Sequence, residues 1–135
     1  MTSRVRVRFA PSPTGEPHAG NIRTAVFDWL FARHHGGDFL VRVEDTDQAR
    51  QTPGAVASVL ESLEWLGLDW DEGPQAGGAH GPYRQSERQG RYDQYIAKML
   101  EAGTAYRCTC TRERLTQVRE AAQAAGKKPM YDGHC

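Results

Sequence analysis

Arg8-Phe9-Ala10-Pro11-Ser12-Pro13-Thr14-Gly15-Glu16-Pro17-His18-Ala19-Gly20-Asn21 joins two runs of different periodicity. Before it, Val5, Val7 and Phe9 alternate with Arg4, Arg6 and Arg8, the two-residue period of a strand. After it, Ile22, Ala25, Val26, Trp29 and Leu30 recur at three- and four-residue spacing, the period of a helix. A strand therefore feeds a helix through a loop stiffened by Pro11, Pro13 and Pro17. A helix N-terminus offers unpaired backbone N–H groups and positive dipole potential, which suit a phosphate. Ser12, His18 and the side-chain-free Gly20 stand beside that helix end. The plainer reading is a rigid connection with His18 as a helix cap.

Working outward, residues 3–9 read as a strand and 20–35 as a helix closed by Gly36-Gly37. Phe39 to Val43 is a second strand, at a spacing that suits a parallel crossover. Thr52-Pro53 reads as the cap and first residue of a helix carrying Val56, Val59, Leu60, Leu63 and Leu66, stopped by Gly67. Leu68 to Trp70 is a short candidate third strand, and the Gly- and Pro-rich segment 71–83 a loop. Helices follow over about 87–101, with Ser86 as a candidate cap, and from Thr111 to near Gly126; Ala105 to Cys108 is a strand or the start of a knuckle. The β-α-β-α order predicts an α/β fold with a parallel sheet.

Length and composition set bounds. The 135 residues suffice for about one domain. Lys plus Arg and Asp plus Glu are both 17, so no overall basic excess marks a nucleic-acid binder, although Arg84, Arg88 and Arg91 form a short basic patch. No apolar run approaches the ~20 residues that span a bilayer, and no signal-peptide core opens the chain. Three cysteines in this composition fit a reduced, cytoplasmic setting. Cys108-Thr109-Cys110 and the distant Cys135 suit a zinc knuckle, because thiolates favour that metal; three unrelated thiols or one disulfide is the alternative. His34, His35 and His80 read as solvent-facing or helix-end residues.

The string Arg8-Phe-Ala-Pro-Ser-Pro-Thr-Gly15, with His18-Ala-Gly-Asn21 and Arg23-Thr-Ala25, closely resembles the opening of the bacterial glutamyl-tRNA synthetases. His18 to Asn21 is similar to the HIGH signature of class I aminoacyl-tRNA synthetases. Val41-Arg-Val-Glu44-Asp45-Thr46-Asp47, Trp65 to Pro74 and Gly81 to Arg88 resemble further segments of the family, so the likeness runs from about residue 4 to 135.

The resemblance implies the N-terminal half of a Rossmann-like class I synthetase domain over 1–104, followed at 105–135 by the start of a zinc-bearing insertion that binds the tRNA acceptor stem. It implies activation of glutamate by ATP, with Mg2+, to glutamyl-adenylate and transfer to the 3′ end of tRNA(Glu), in a cytoplasmic enzyme that is monomeric at full length. Arg8 would grip the glutamate side chain, Ser12 would place the substrate and line the ATP site, and Glu44 would take the α-ammonium. His18 would donate to phosphate oxygens. Gly20 would let ATP approach the helix backbone, and Asn21 would add a donor. Asp45 and Asp47 would orient their loop, cap a helix start or touch the tRNA end.

By the same resemblance, Cys108, Cys110 and Cys135 would hold a structural Zn2+. Some relatives complete the set with Cys-x-His. The glutamyl-Q tRNA(Asp) synthetases use Tyr-x-x-x-Cys, which Tyr131 and Cys135 satisfy here. The Lys-rich signature loop of the second half of the fold is absent from these residues, so the chain reads as an N-terminal piece with little activity alone. A glutamyl-Q tRNA(Asp) synthetase and a non-catalytic zinc- or nucleotide-binding module are the alternatives.

Overall fold

The computed structural model describes residues 4–135; Ser3, the first residue of the expected strand 3–9, lies outside them. The chain divides into two compact units, Met1–Gly90 and Arg91–Cys135.

In the first unit β1 (Arg6–Phe9) and β2 (Asp38–Val41) pair in parallel, with Arg6 opposite Asp38 and Phe9 opposite Val41. A parallel pair needs a long crossover, here α1 (Ala19–His34). This helix ends in a Schellman motif: Gly36 N–H donates to Arg33 O and Gly37 N–H to Ala32 O, with Gly36 at φ +60°. Gly37 is required for a second reason, since a Cβ there would collide with the Val5 carbonyl.

The two-residue period divides the sheet as the sequence implies. Phe9, Phe39 and Val41 are buried with Ala25 and Ala32 of α1 and Val59, Leu60 and Leu63 of α2 (Ala55–Trp65). Each such large apolar side chain contributes about 1.5–3 kcal/mol relative to exposure. Arg6, Arg8, Arg42 and Glu44 occupy the alternate positions, where they pair among themselves and with Asp38 and Glu72.

Two expectations are corrected. Thr52-Pro53 does not start α2. Ala55 N–H donates to Thr52 O across a turn in which Gly54 has φ +81°, and the helix begins at Ala55. Pro followed by a positive-φ Gly favours that turn over a helix start. The third pairing segment lies beyond Leu68–Trp70. Phe39 O accepts from Asp71 N–H and Val41 N–H donates to Glu72 O, so 71–72 lines the edge of β2 as a single bridge, followed by Val43 beside Arg84. The shift follows from side-chain anchors: Arg33 Nη1 donates to Asp71 Oδ2 at 2.7 Å, and Trp29 Nε1 to Asp69 Oδ1 at 2.9 Å.

These anchors predict acid sensitivity. Burial pushes the Asp71 carboxyl up, but the Arg33 guanidinium and the Phe39 N–H outweigh it and lower its pKa. Glu72 is lowered in the same way, desolvation being overcome by the Tyr83 hydroxyl and Arg6. A folded pKa below the unfolded value stabilises above the unfolded pKa and is lost as pH falls through the folded one. The ordinary values are 3.8 and 4.5. Urea-unfolding midpoints should thus be level near neutrality and drop below pH 4.5, with a shallower acid limb in Asp71→Asn.

The second unit holds most of α3 (Gln89–Glu101) and all of α4 (Arg112–Ala124). Thr111 caps α4 by accepting from Arg114 N–H at 3.2 Å, as its sequence position predicts. Gly126 at φ +67° ends the helix, and Asp132 further along pairs back to Arg114 of α4.

Candidate functional site

A cleft of about 450 Å³ opens where β1 runs into α1, lined by Arg8, Ser12, His18, Asn21 and Thr24 among others. It lies beyond the carboxyl end of a parallel strand, the general ligand position in open α/β sheets.

His18 is the N-cap of α1. Its Nδ1 accepts from Gly20 N–H at 3.1 Å, and Asn21 Oδ1 accepts from His18 N–H at 3.3 Å, closing a capping box. With Nδ1 accepting, the neutral ring carries its proton on Nε2. The capping changes the expectation of free N–H groups at this helix end. Gly20 N–H is taken by the ring, and Asn21 and Ile22 N–H by His18 O. What remains for an anion is the dipole, the Ala19 N–H and the Nε2–H of the cap itself. Gly20 has a matching role: a Cβ there would stand 3.0 Å from His18 Cε1 and Nδ1, so its close neighbour is the imidazole.

Glu44 follows β2, and its N–H donates to Pro11 O at 2.8 Å, which ties it to the opening loop. Its Oε1 lies 3.7 Å from Arg8 Nη2 and 3.2 Å from Arg42 Nη2. A guanidinium and a carboxylate thus stand side by side at adjacent strand ends, able to receive an acid and an amine respectively. Arg42 was not singled out in the sequence, where it stands only as a member of the second strand. Asp28 of α1 was also missed; burial raises its pKa, and the charge of Arg8 pulls it partly back.

Asp45 is buried, with Oδ1 accepting from Ser86 N–H and Oδ2 from the Ser86 hydroxyl, both at 2.8 Å. Desolvation pushes its pKa up, yet the two Ser86 bonds and Arg84 bring it below the usual value. The structure therefore gives Asp45 the loop-orienting place and makes Ser86 the donor; Ser86 is not an N-cap, since Arg84 occupies that position of the short 3-10 turn Gln85–Arg88. Arg88 Nη1 donates to Pro82 O at 2.8 Å and His80 O at 3.2 Å, which occupies it within the fold. Asp47 pairs with Arg50 at 2.6 Å and makes no side-chain cap.

In the second unit the sulfurs of Cys108, Cys110 and Cys135 lie within 4.8 Å of one another, Cys110 and Cys135 at 3.6 Å. The Tyr131 hydroxyl is 3.8 Å from Cys108 Sγ and 3.7 Å from Cys110 Sγ. Tetrahedral zinc with Zn–S bonds of ~2.3 Å separates its sulfurs by about 3.8 Å, so the three thiols suit the ion in donor type and spacing, while the Tyr131 hydroxyl beside them accepts from Cys135 N–H at 2.7 Å. His134 is not part of this sulfur cluster. Arg114 brackets the cluster, its Nη1 at 3.5 Å from Cys110 Sγ while its fork holds Asp132. Hydrogen bonds from Tyr131 and then Thr109 lower the Cys135 thiol to about 6. No helix of the described residues is long and apolar enough to cross a membrane.

The model of the family "tRNA synthetases class I (E and Q), catalytic domain" matches residues 4–135. A glutamate–tRNA ligase of Dehalococcoides mccartyi is 60% identical over 135 residues, all of this chain and 28% of the relative. One of Streptomyces coelicolor is 58% identical over 133 residues, covering 98% of this chain and 27% of the relative. The crystal structure of a glutamate-tRNA synthetase from Elizabethkingia anophelis superposes with a TM-score of 0.91 at 49% identity, over 97% of this chain and 26% of that one. The chain thus spans little more than a quarter of the length of these relatives. With the signature loop, the parallel strand pair and the cleft in these positions, the chain belongs to the catalytic-domain family of the class I tRNA synthetases for Glu and Gln.

Proposed function

We propose that the protein carrying this chain is a glutamate–tRNA ligase, which activates glutamate with ATP and Mg2+ and passes the glutamyl group to the 3′ end of tRNA(Glu). The observation that carries this reading is the placement of Arg8 beside Glu44 at the mouth of the strand-to-helix loop, 3.7 Å apart. A zwitterionic dicarboxylic amino acid complements that pair. Arg8 takes the γ-carboxylate in a charge-assisted contact, and Glu44 takes the α-ammonium. Ser12 helps to place the substrate.

In adenylate formation the substrate α-carboxylate attacks the α-phosphorus of ATP and pyrophosphate leaves. No protein nucleophile is needed, and positioned donors lower the barrier where charge gathers on phosphate oxygens. His18 supplies Nε2–H to those oxygens while its Nδ1 stays on Gly20 N–H, so the cap also holds the donor in place. Asn21 fixes the His18 backbone through its Oδ1, which leaves the amide NH2 as its remaining donor.

In the second unit Cys108, Cys110, Cys135 and Tyr131 hold a structural Zn2+, which ties the start of an acceptor-stem-binding insertion and activates no water. The residues 1–104 and 105–135 are the two functional parts in this reading. The protein works in the cytoplasm, as a monomer.

The test is pyrophosphate exchange by the full-length protein. Exchange should depend on glutamate and be unmeasurable with glutamine at equal concentration. Exchange driven equally well by both would remove the Arg8 reading, and transfer of the glutamyl group to tRNA(Asp) in place of tRNA(Glu) would support the glutamyl-Q alternative.

A further inference from the structure

We propose that Arg42 is a positioning residue for the amino acid, holding the Glu44 carboxylate ready for the substrate ammonium when Arg8 is drawn away. This rests on the reading of Glu44 given above. Arg42 and Glu44 are two apart on extended chain, so they share a side of it. Their backbones are pinned to the opening loop, Arg42 N–H to Phe9 O at 3.0 Å and Glu44 N–H to Pro11 O at 2.8 Å.

Both guanidinium groups reach the same oxygen. Arg42 Nη2 is 3.2 Å from Glu44 Oε1 and Arg8 Nη2 is 3.7 Å from it. The closer partner is thus the residue with no assigned part in recognition. When the substrate γ-carboxylate engages Arg8, the weaker contact to Glu44 is the one that yields. Arg42 keeps Oε1, and Oε2 faces the ammonium. Without Arg42 the Glu44 carboxylate has no partner left once Arg8 turns to the substrate, so it no longer stands in a fixed place for the ammonium.

A purely architectural role accounts poorly for the residue. The Arg42 side chain is only 20% exposed, and its buried Nε has no acceptor among the described residues. An apolar side chain would leave no such donor unpaired, so the guanidinium is placed for its outer nitrogens.

The experiment uses full-length protein with Arg42→Met, Arg42→Lys and Glu44→Gln, reading glutamate-dependent pyrophosphate exchange and competitive inhibition by glutarate, which has both carboxylates but no ammonium. Arg42→Met should raise the glutamate KM about tenfold, the scale of one charge-assisted contact, with kcat and the glutarate inhibition constant within about twofold of the parent. Arg42→Lys should fall between the two, and it carries the test if the Met variant does not fold. An unchanged glutamate KM in a folded variant, or equal weakening of glutamate and glutarate, would overturn the proposal. If Glu44→Gln also leaves the glutamate KM unchanged, the reading of Glu44 has failed. If Glu44→Gln weakens glutamate and Arg42→Met does not, only the role of Arg42 has failed.

Discussion

His18→Ala in the full-length protein should slow glutamyl-adenylate formation about 10²–10³-fold, the usual effect of removing one donor aimed at transition-state charge. Glutamate affinity should change little if, as proposed, Arg8 and Glu44 bind the amino acid. The same substitution removes a helix cap, which costs about 1 kcal/mol of stability. The two roles separate in His18→Asn. Asn is a good N-cap, so α1 should keep its stability, while the Nε2–H is gone and the rate should stay low. Pyrophosphate-exchange kinetics with thermal unfolding of both variants decide the matter. A rate that follows stability, and recovers in the Asn variant, would leave His18 as a cap alone.

Cys108→Ser should abolish metal binding in the second unit, taking the protein from about one zinc per chain to nearly none. Bound structural zinc supplies about 10–16 kcal/mol in small thiolate sites. This unit has little to set against that loss. None of the residues in α3 or α4 is buried, and Tyr106 and Met130 are largely exposed. Segments 105–111 and 127–135 should therefore lose protection from hydrogen exchange, while β1 and β2 keep theirs. Tyr131→Phe removes one donor of the four and should weaken retention against a chelator without abolishing it. Metal analysis that finds no zinc in the purified parent protein would end this reading.

The four long helices were legible because their apolar spacing agrees with signals at their ends, Gly36-Gly37 closing α1 and Thr111 opening α4. The start of α2 was not, because Thr52-Pro53-Gly54 serves a turn as well as a cap, and only the positive φ of Gly54 separates the two. Leu68 to Trp70 reads as a short strand, yet the segment that lies beside β2 is 71–72. What decides its register is Asp71, reached by Arg33 from α1 across a sequence distance no periodicity spans. Asp45 was visible as an acid in a motif, but its partner Ser86 lies 41 residues away.

By itself the sequence determined the strand–loop–helix unit and the family, and it named Arg8, His18, Glu44 and the three cysteines as candidates. Those follow from local periodicity and from a motif whose residues are near neighbours in the chain. Only the tertiary structure decided which atoms are free to act. It commits Nδ1 of His18 to the helix and leaves Nε2, puts two arginines on one oxygen of Glu44, and brings Tyr131 within 4 Å of two sulfurs. Such choices depend on hydrogen-bond partners and parallel strand register. Both are set by folding together segments that the chain order keeps apart.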